Sequence, residues 1–146
     1  MSDSEVTEMK DVIRTKKENV KLSVVMNPNF WNGLSIVNNN DDLPAKSTYW
    51  FGKAFNKISS LSEQFDKTRQ KVILKYAELD AAGKPVVTEG NQVKFKDDAA
   101  LAAFAKEISD LLEQEVEILK ISKDALLKTD VKIKGSVLAA IDEMLF

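Results

Sequence analysis

Asp80-Ala-Ala-Gly-Lys-Pro-Val-Val-Thr-Glu-Gly-Asn-Gln-Val-Lys-Phe-Lys-Asp-Asp98 separates two long helical patterns, and its reading decides the fold. Gly83 and Pro85 stop the first helix, because glycine accepts a left-handed cap and proline has no N–H to continue the ladder. Short β-type runs flank Glu89-Gly90-Asn91, which has the composition of a tight hairpin turn. Asp97 and Asp98 start a second helix by offering carboxylates to its free N–H groups. The centre of the chain therefore reads as helix, β-hairpin, helix.

Upstream, Leu43-Pro44-Ala45 opens the first helix with a proline where a missing N–H costs nothing. No proline follows before Asp80, and Gly52 is the one glycine in that stretch. Phe51, Phe55, Ile58, Ser62, Phe65, Arg69, Val72, Tyr76 and Leu79 alternate spacings of four and three, a coiled-coil seam interrupted by Ser62 and Arg69. Such a helix spans roughly 55 Å at about 1.5 Å per residue. A compact domain of this size is about 30 Å across. The helix therefore kinks near Ser59-Ser60 or projects and meets a partner. Downstream, Leu101, Phe104, Ala105, Ile108, Leu111, Leu112 and Val116 form the apolar stripe of a second helix running from Asp98 to about residue 117. Its natural partner is the first helix, antiparallel to it.

The flanks are shorter. Val20 to Met26 carries β-branched residues and reads as a strand ended by Asn27-Pro28. Phe30 to Val37 reads as a short helix, and Asn38 to Asp42 as a polar turn. Residues 1–19 form an N-terminal arm, either loose or a short amphipathic helix through Val6, Met9, Val12 and Ile13. Residues 115–121 continue the second helix or peel off as a strand. Ser122 caps a turn through Leu127, Val131 to Ile133 is extended, and Ser136 caps a last helix with Val137, Leu138, Ile141 and Leu145 inward. No internal repeat is visible. The expected fold is mainly α with a small β component (α+β). It is a long antiparallel helical hairpin linked by a β-hairpin, with a short N-terminal strand and a C-terminal helix. Residues 20–146 make a single helical domain.

Composition closes many chemistries. The chain has 146 residues, 44% hydrophobic and 30% charged, with net charge −2. No bulk field favours nucleic acid or an anionic membrane. There are no cysteines and no histidines. Disulfides, thiol nucleophiles, Cys/His zinc sites and a Ser-His-Asp triad are thereby excluded. No run approaches the length of a transmembrane span, and residues 1–20 lack the apolar core of a secretory signal. The expected location is the cytoplasm, with no cofactor and no membrane partner. No phosphate-binding glycine loop occurs, and Asn38 to Asp42 lacks the glycine and closing glutamate of an EF-hand loop.

Candidate sites lie on the first long helix. Phe30, Trp31, Tyr49, Trp50, Phe51 and Phe55 concentrate the aromatic residues. Tyr49-Trp50-Phe51 are consecutive and cannot all face one core. The outward rings either pack under the N-terminal strand and short helix or form a binding surface. Lys46, Lys53 and Lys57 share one side of the helix. They form a solvated face, or with Trp50 they hold an anion such as a nucleotide phosphate against an aromatic ring. Arg69 pairs with a carboxylate of the second helix, or contacts a bound anion from inside an oligomer. Glu113, Glu115 and Glu117 spread over different faces of a helix and line one side only if their segment is a strand, which would suggest a metal site; no metal site is expected.

Leu43-Pro44-Ala45-Lys46 with Tyr49, then Arg69, Lys75-Tyr76-Ala77-Glu78, Asp80-Ala-Ala-Gly83-Lys-Pro85 and Leu112-Glu-Gln-Glu115-Val-Glu-Ile118 follow one another in an order that resembles a group of short, mainly helical proteins of phages and prophages. The resemblance covers about residues 20–145. It implies a phage gene product in a bacterial host and assigns no catalytic residue. The expected function is a non-enzymatic binding protein that forms homo-oligomers through the long helix. It would act in counter-defence, by binding a host protein or sequestering a small anionic nucleotide-type signal through Lys46, Tyr49, Trp50, Lys53, Lys57 and Arg69. The alternative is a structural or assembly component of the phage particle, in its head, neck or tail. Nucleic acid is not an expected partner.

Overall fold

The computed structural model describes residues 13–127, 129 and 131–146. Strand β1 spans Thr15–Lys21 and is followed by the short helix α1, Leu22–Val25, and by α2, Pro28–Asn38. The long helix α3 covers Ala45–Tyr76, and α4 covers Asp98–Leu112. Strand β2, Glu115–Ile121, pairs antiparallel with β1, matching Thr15 to Ile121 and Lys21 to Glu115. Helices α5, Asp124–Leu127, and α6, Gly135–Ala140, then lead to a 3-10 turn over Asp142–Met144. The fold is mainly α with a small β component, as the sequence implies.

Two caps follow the expected chemistry and two do not. The Ser122 hydroxyl is buried with no hydrogen-bond partner among the described residues, and Ser136 lies inside α6, whose N-cap is Lys134 with no side-chain bond. Asn27 Oδ1 accepts from the Asn29 N–H at 2.9 Å, with Pro28 as the first residue of α2. Asp97 Oδ1 accepts from the Ala100 N–H at 2.7 Å and opens α4. Helix α3 is continuous through Ser59-Ser60, so of the two ways to accommodate its length it extends beyond the body. At 32 residues it runs about 48 Å.

The core sits at one end of that helix. Phe51, Ala54 and Ile58 of α3 are buried with Phe30, Leu34 and Val37 of α2, Ile118 and Ile121 of β2, and Ile141 and Met144 near the C-terminal end. Past Phe65, α3 and α4 pack mainly on each other as an arm. Ile73 and Ala77 are its buried apolar residues, and α4 has none. Phe95 and Phe104 meet at 4.9 Å between ring centroids near the outer end.

The end of the arm differs from a single hairpin. Three segments join in a closed ring of backbone hydrogen bonds. Glu78 N–H donates to Lys94 O (2.8 Å), Lys94 N–H to Val86 O (2.9 Å) and Val86 N–H to Glu78 O (2.8 Å). Two turns of one design connect them. Asp80 N–H donates to Lys84 O and Thr88 N–H to Gln92 O, while the fourth residue of each turn, Gly83 and Asn91, has positive φ. This is the three-residue loop with a left-handed residue that closes many hairpins. The paired turns are a short structural repeat that the sequence reading did not detect.

Three further expectations are corrected. The expected strand Val20 to Met26 divides into the end of β1 and helix α1, because Leu22 N–H is taken by Gln114 O and Val25 enters the core. Strand β1 begins at Thr15, inside the segment assigned to an arm ending at residue 19; the helical spacing of Val6, Met9 and Val12 lies outside the described residues. Val131 to Ile133 forms no strand. Residues 115–121, read as helix or strand, are a strand.

Candidate functional site

The first turns of α3 carry the candidate site. Phe51 is fully buried, and its burial fixes where its neighbours point. Trp31 and Phe55 meet at a tilt of 42° on the flank of the core, with centroids 5.1 Å apart. Trp50 is half-buried against the core, and Tyr49 turns outward with 57% of its surface exposed. Tyr49 and Trp50 meet edge to face at 5.1 Å. The aromatic cluster therefore splits: Phe30 and Phe51 are core, while Tyr49 and one side of Trp50 stay accessible.

Lys53 completes a triad with those rings. Its Nζ lies 5.3 Å from the Tyr49 centroid and 5.4 Å from the Trp50 centroid. Each such contact at an exposed site contributes about 0.5–1 kcal/mol, enough to bias where the ammonium sits. Lys46 and Lys57 are exposed on the same face. At about 100° per residue, Lys46, Trp50, Lys53 and Lys57 fall within roughly 60° of one another. Five of the six expected residues are thus gathered. The sixth is not. Arg69 lies about 18 Å farther along the axis than Lys57 and is turned roughly 120° from it. Nor does Arg69 form an ion pair with α4 or with any other described residue. The inter-helix pair belongs to Lys75, whose Nζ is 3.3 Å from Glu107 Oε1.

The carboxylates do not gather into a centre. Glu113 pairs with Lys21 at 2.8 Å, and Glu18 bridges Lys16 (3.1 Å) and Lys120 (3.3 Å) across the sheet. Hydrogen bonding to Lys16, then to Lys120, holds the Glu18 carboxyl below its ordinary range. Among the described residues no three acidic groups converge as a metal would need. No helix among them is long and apolar enough to cross a membrane.

A second feature escaped the sequence reading. A groove of about 760 Å³ runs between α2 and α6. The helices touch at Gly33, where an added Cβ would lie 2.9 Å from Ala140 Cβ. The available signal was a charge gap, since no charged residue occurs between Lys21 and Asp41. A smaller apolar hollow of about 260 Å³ lies beside Leu127, Leu138 and Leu145.

Comparison of the chain with protein-family models, curated proteins and solved structures finds no match.

Proposed function

We propose that this chain is a non-enzymatic binding protein of a phage or prophage that works in the bacterial cytoplasm and captures a small anionic nucleotide-type signal on the first turns of α3. One observation carries the reading. Lys53 is held over the exposed faces of Tyr49 and Trp50, with Lys46 and Lys57 on the same side. A nucleobase has a π-face for Tyr49, and its phosphates have three ammonium groups within reach of one surface. The same surface fits a host protein that presents an acidic, aromatic-rich patch.

Titration calorimetry against a panel of linear and cyclic nucleotides tests the site. Binding is expected to weaken as salt rises, because lysine–phosphate contacts release counterions. Lys53→Ala and Trp50→Ala should each lower affinity by about tenfold or more, since each removes roughly 1–2 kcal/mol of charge or stacking. No heat from any nucleotide would remove the sequestration reading.

The extended α3–α4 arm supports a second reading as an assembly component of the particle. Helix α4 is amphipathic yet has no buried residue, which suits a surface completed by repeated copies of another protein. Mass spectrometry of purified particles and assembly intermediates distinguishes it: presence in stoichiometric amounts supports the assembly role, and absence from both removes it.

A further inference from the structure

The α2–α6 face is set apart by what it lacks. The chain has 30% charged residues, yet none occurs from Leu22 to Asn40 or from Gly135 to Ile141. The fold lays these two stretches side by side around Gly33. The groove they form is lined by one ionisable side chain, Glu143. Ile36 stands on its edge with 54% of its surface exposed, and the Asn29 and Asn32 side chains make no hydrogen bond to any described residue.

We infer that this groove is a two-fold interface occupied by a second copy of the same chain. A two-fold contact presents each residue of a patch to the same patch on the partner. Charged groups near the axis would then meet their own sign, so a patch without charge suits self-association. The side-chain amides serve such symmetry, because asparagine offers both a donor and an acceptor and can pair with its own copy. Ile36 supplies a knob, and the groove beside Gly33 and Ala140 supplies the space to receive it. A surface adapted to a foreign partner gains steering and selectivity from complementary charge, and this face offers almost none. Depletion of charge is also the compositional mark of interface centres.

Sedimentation equilibrium and light scattering of the full chain test the inference. At micromolar concentration the wild type should show twice the 16.3 kDa of one chain. Its dissociation constant should be almost insensitive to salt, since no charge pair is screened. Ile36→Glu, and independently Ala139→Arg, should each weaken dimerisation by at least about tenfold, an introduced like-charge contact costing more than roughly 1.4 kcal/mol. Both positions are exposed, so the far-UV spectrum of the monomeric variants should match the wild type, and their melting should match that of wild type diluted below its dissociation constant. A wild type that stays monomeric overturns the proposal, as do dimers that survive both substitutions. Dimers lost with Leu74→Glu on the exposed side of α3, yet kept with Ile36→Glu, also overturn it and leave self-association through the long helix standing.

Discussion

Single backbone positions decide two features, and the sequence disclosed them unequally. Gly83 was expected to be left-handed, and its φ is 77°, but it closes the Asp80–Lys84 turn and is not the cap of α3, which is Ala77. In the second turn the eye falls on Gly90, but the positive φ of 58° belongs to Asn91. Both residue types tolerate that region, so only the hydrogen-bond register distinguishes them. Gly83→Ala should therefore cost about 1–2 kcal/mol. Gly90→Ala should fall within roughly 0.5 kcal/mol of wild type. Urea denaturation of the two variants checks the order, and equal losses would contradict the turn assignment. Gly33 was not legible at all, because its constraint comes from Ala140 and Ile141, far along the chain. An alanine there would place its Cβ 2.9 Å from Ala140 Cβ and 3.0 Å from Ile141 Cγ2. The α2–α6 contact would have to open, at about 1–3 kcal/mol for an overpacked site.

At the scale of elements, the helical hairpin was legible because its signals are local: Pro44 opens α3, Asp97 caps α4, and apolar stripes recur along both. The stop of α3 was misplaced: the helix ends at Tyr76, before Gly83 and Pro85, because Ala77 turns extended and Glu78 enters the backbone ring with Lys94 and Val86. The sheet was not legible. Strand β1, Thr-Lys-Lys-Glu-Asn-Val-Lys, is polar except for Val20, and its identity comes from pairing with β2 about a hundred residues later. The expected pairing of Arg69 with a carboxylate of the second helix fails for a related reason. Sequence places it on the seam, but the partner across the seam is chosen by the axial register of α4, which gives Glu107 to Lys75. That pairing has a pH consequence. The Tyr76 hydroxyl, then Lys75, holds the Glu107 carboxyl below its usual value of 4.5. A lowered folded-state value means that the contribution is complete above the unfolded pKa and is lost as pH falls through the folded one. Glu107→Gln should accordingly flatten the acid limb of stability, and it should also weaken the alkaline limb, because Lys75, whose ammonium is held above 10.5 by Tyr76 and then Glu107, loses the second of these. Urea midpoints across the acid range test this, and an unchanged acid limb would show that the inter-helix pair is not formed in solution. Packing on the same two helices gives a graded expectation. Phe65 is buried, so Phe65→Ala should cost about 3–5 kcal/mol. Ile108 is half-buried, and Ile108→Ala should cost roughly half of the usual 2–5 kcal/mol.

Across the whole molecule, apolar burial is unevenly shared. The body gathers α2, the first turns of α3, the sheet and the C-terminal segments around side chains such as Phe51, Leu34, Ile118 and Ile141, all within 1% of full burial. The arm has Ile73 and Ala77, a ring of backbone bonds at its end, and an α4 without a buried residue. Opening free energy follows local burial, so the two regions should open separately. Native-state hydrogen exchange should show α4 amides, together with those of Glu78, Val86 and Lys94, exchanging through a smaller opening than β2 amides such as Ile118 and Ile121. The outer turns of α3 should follow α4, while its first turns follow the body, so that one continuous helix divides near Phe65. A binding surface on those first turns would thereby stay rigid while the arm opens and recloses. Uniform protection along α3 and α4, at the level of the sheet, would refute the division. It would mean that the exposed stripe of α4 is covered in solution by another copy or another protein.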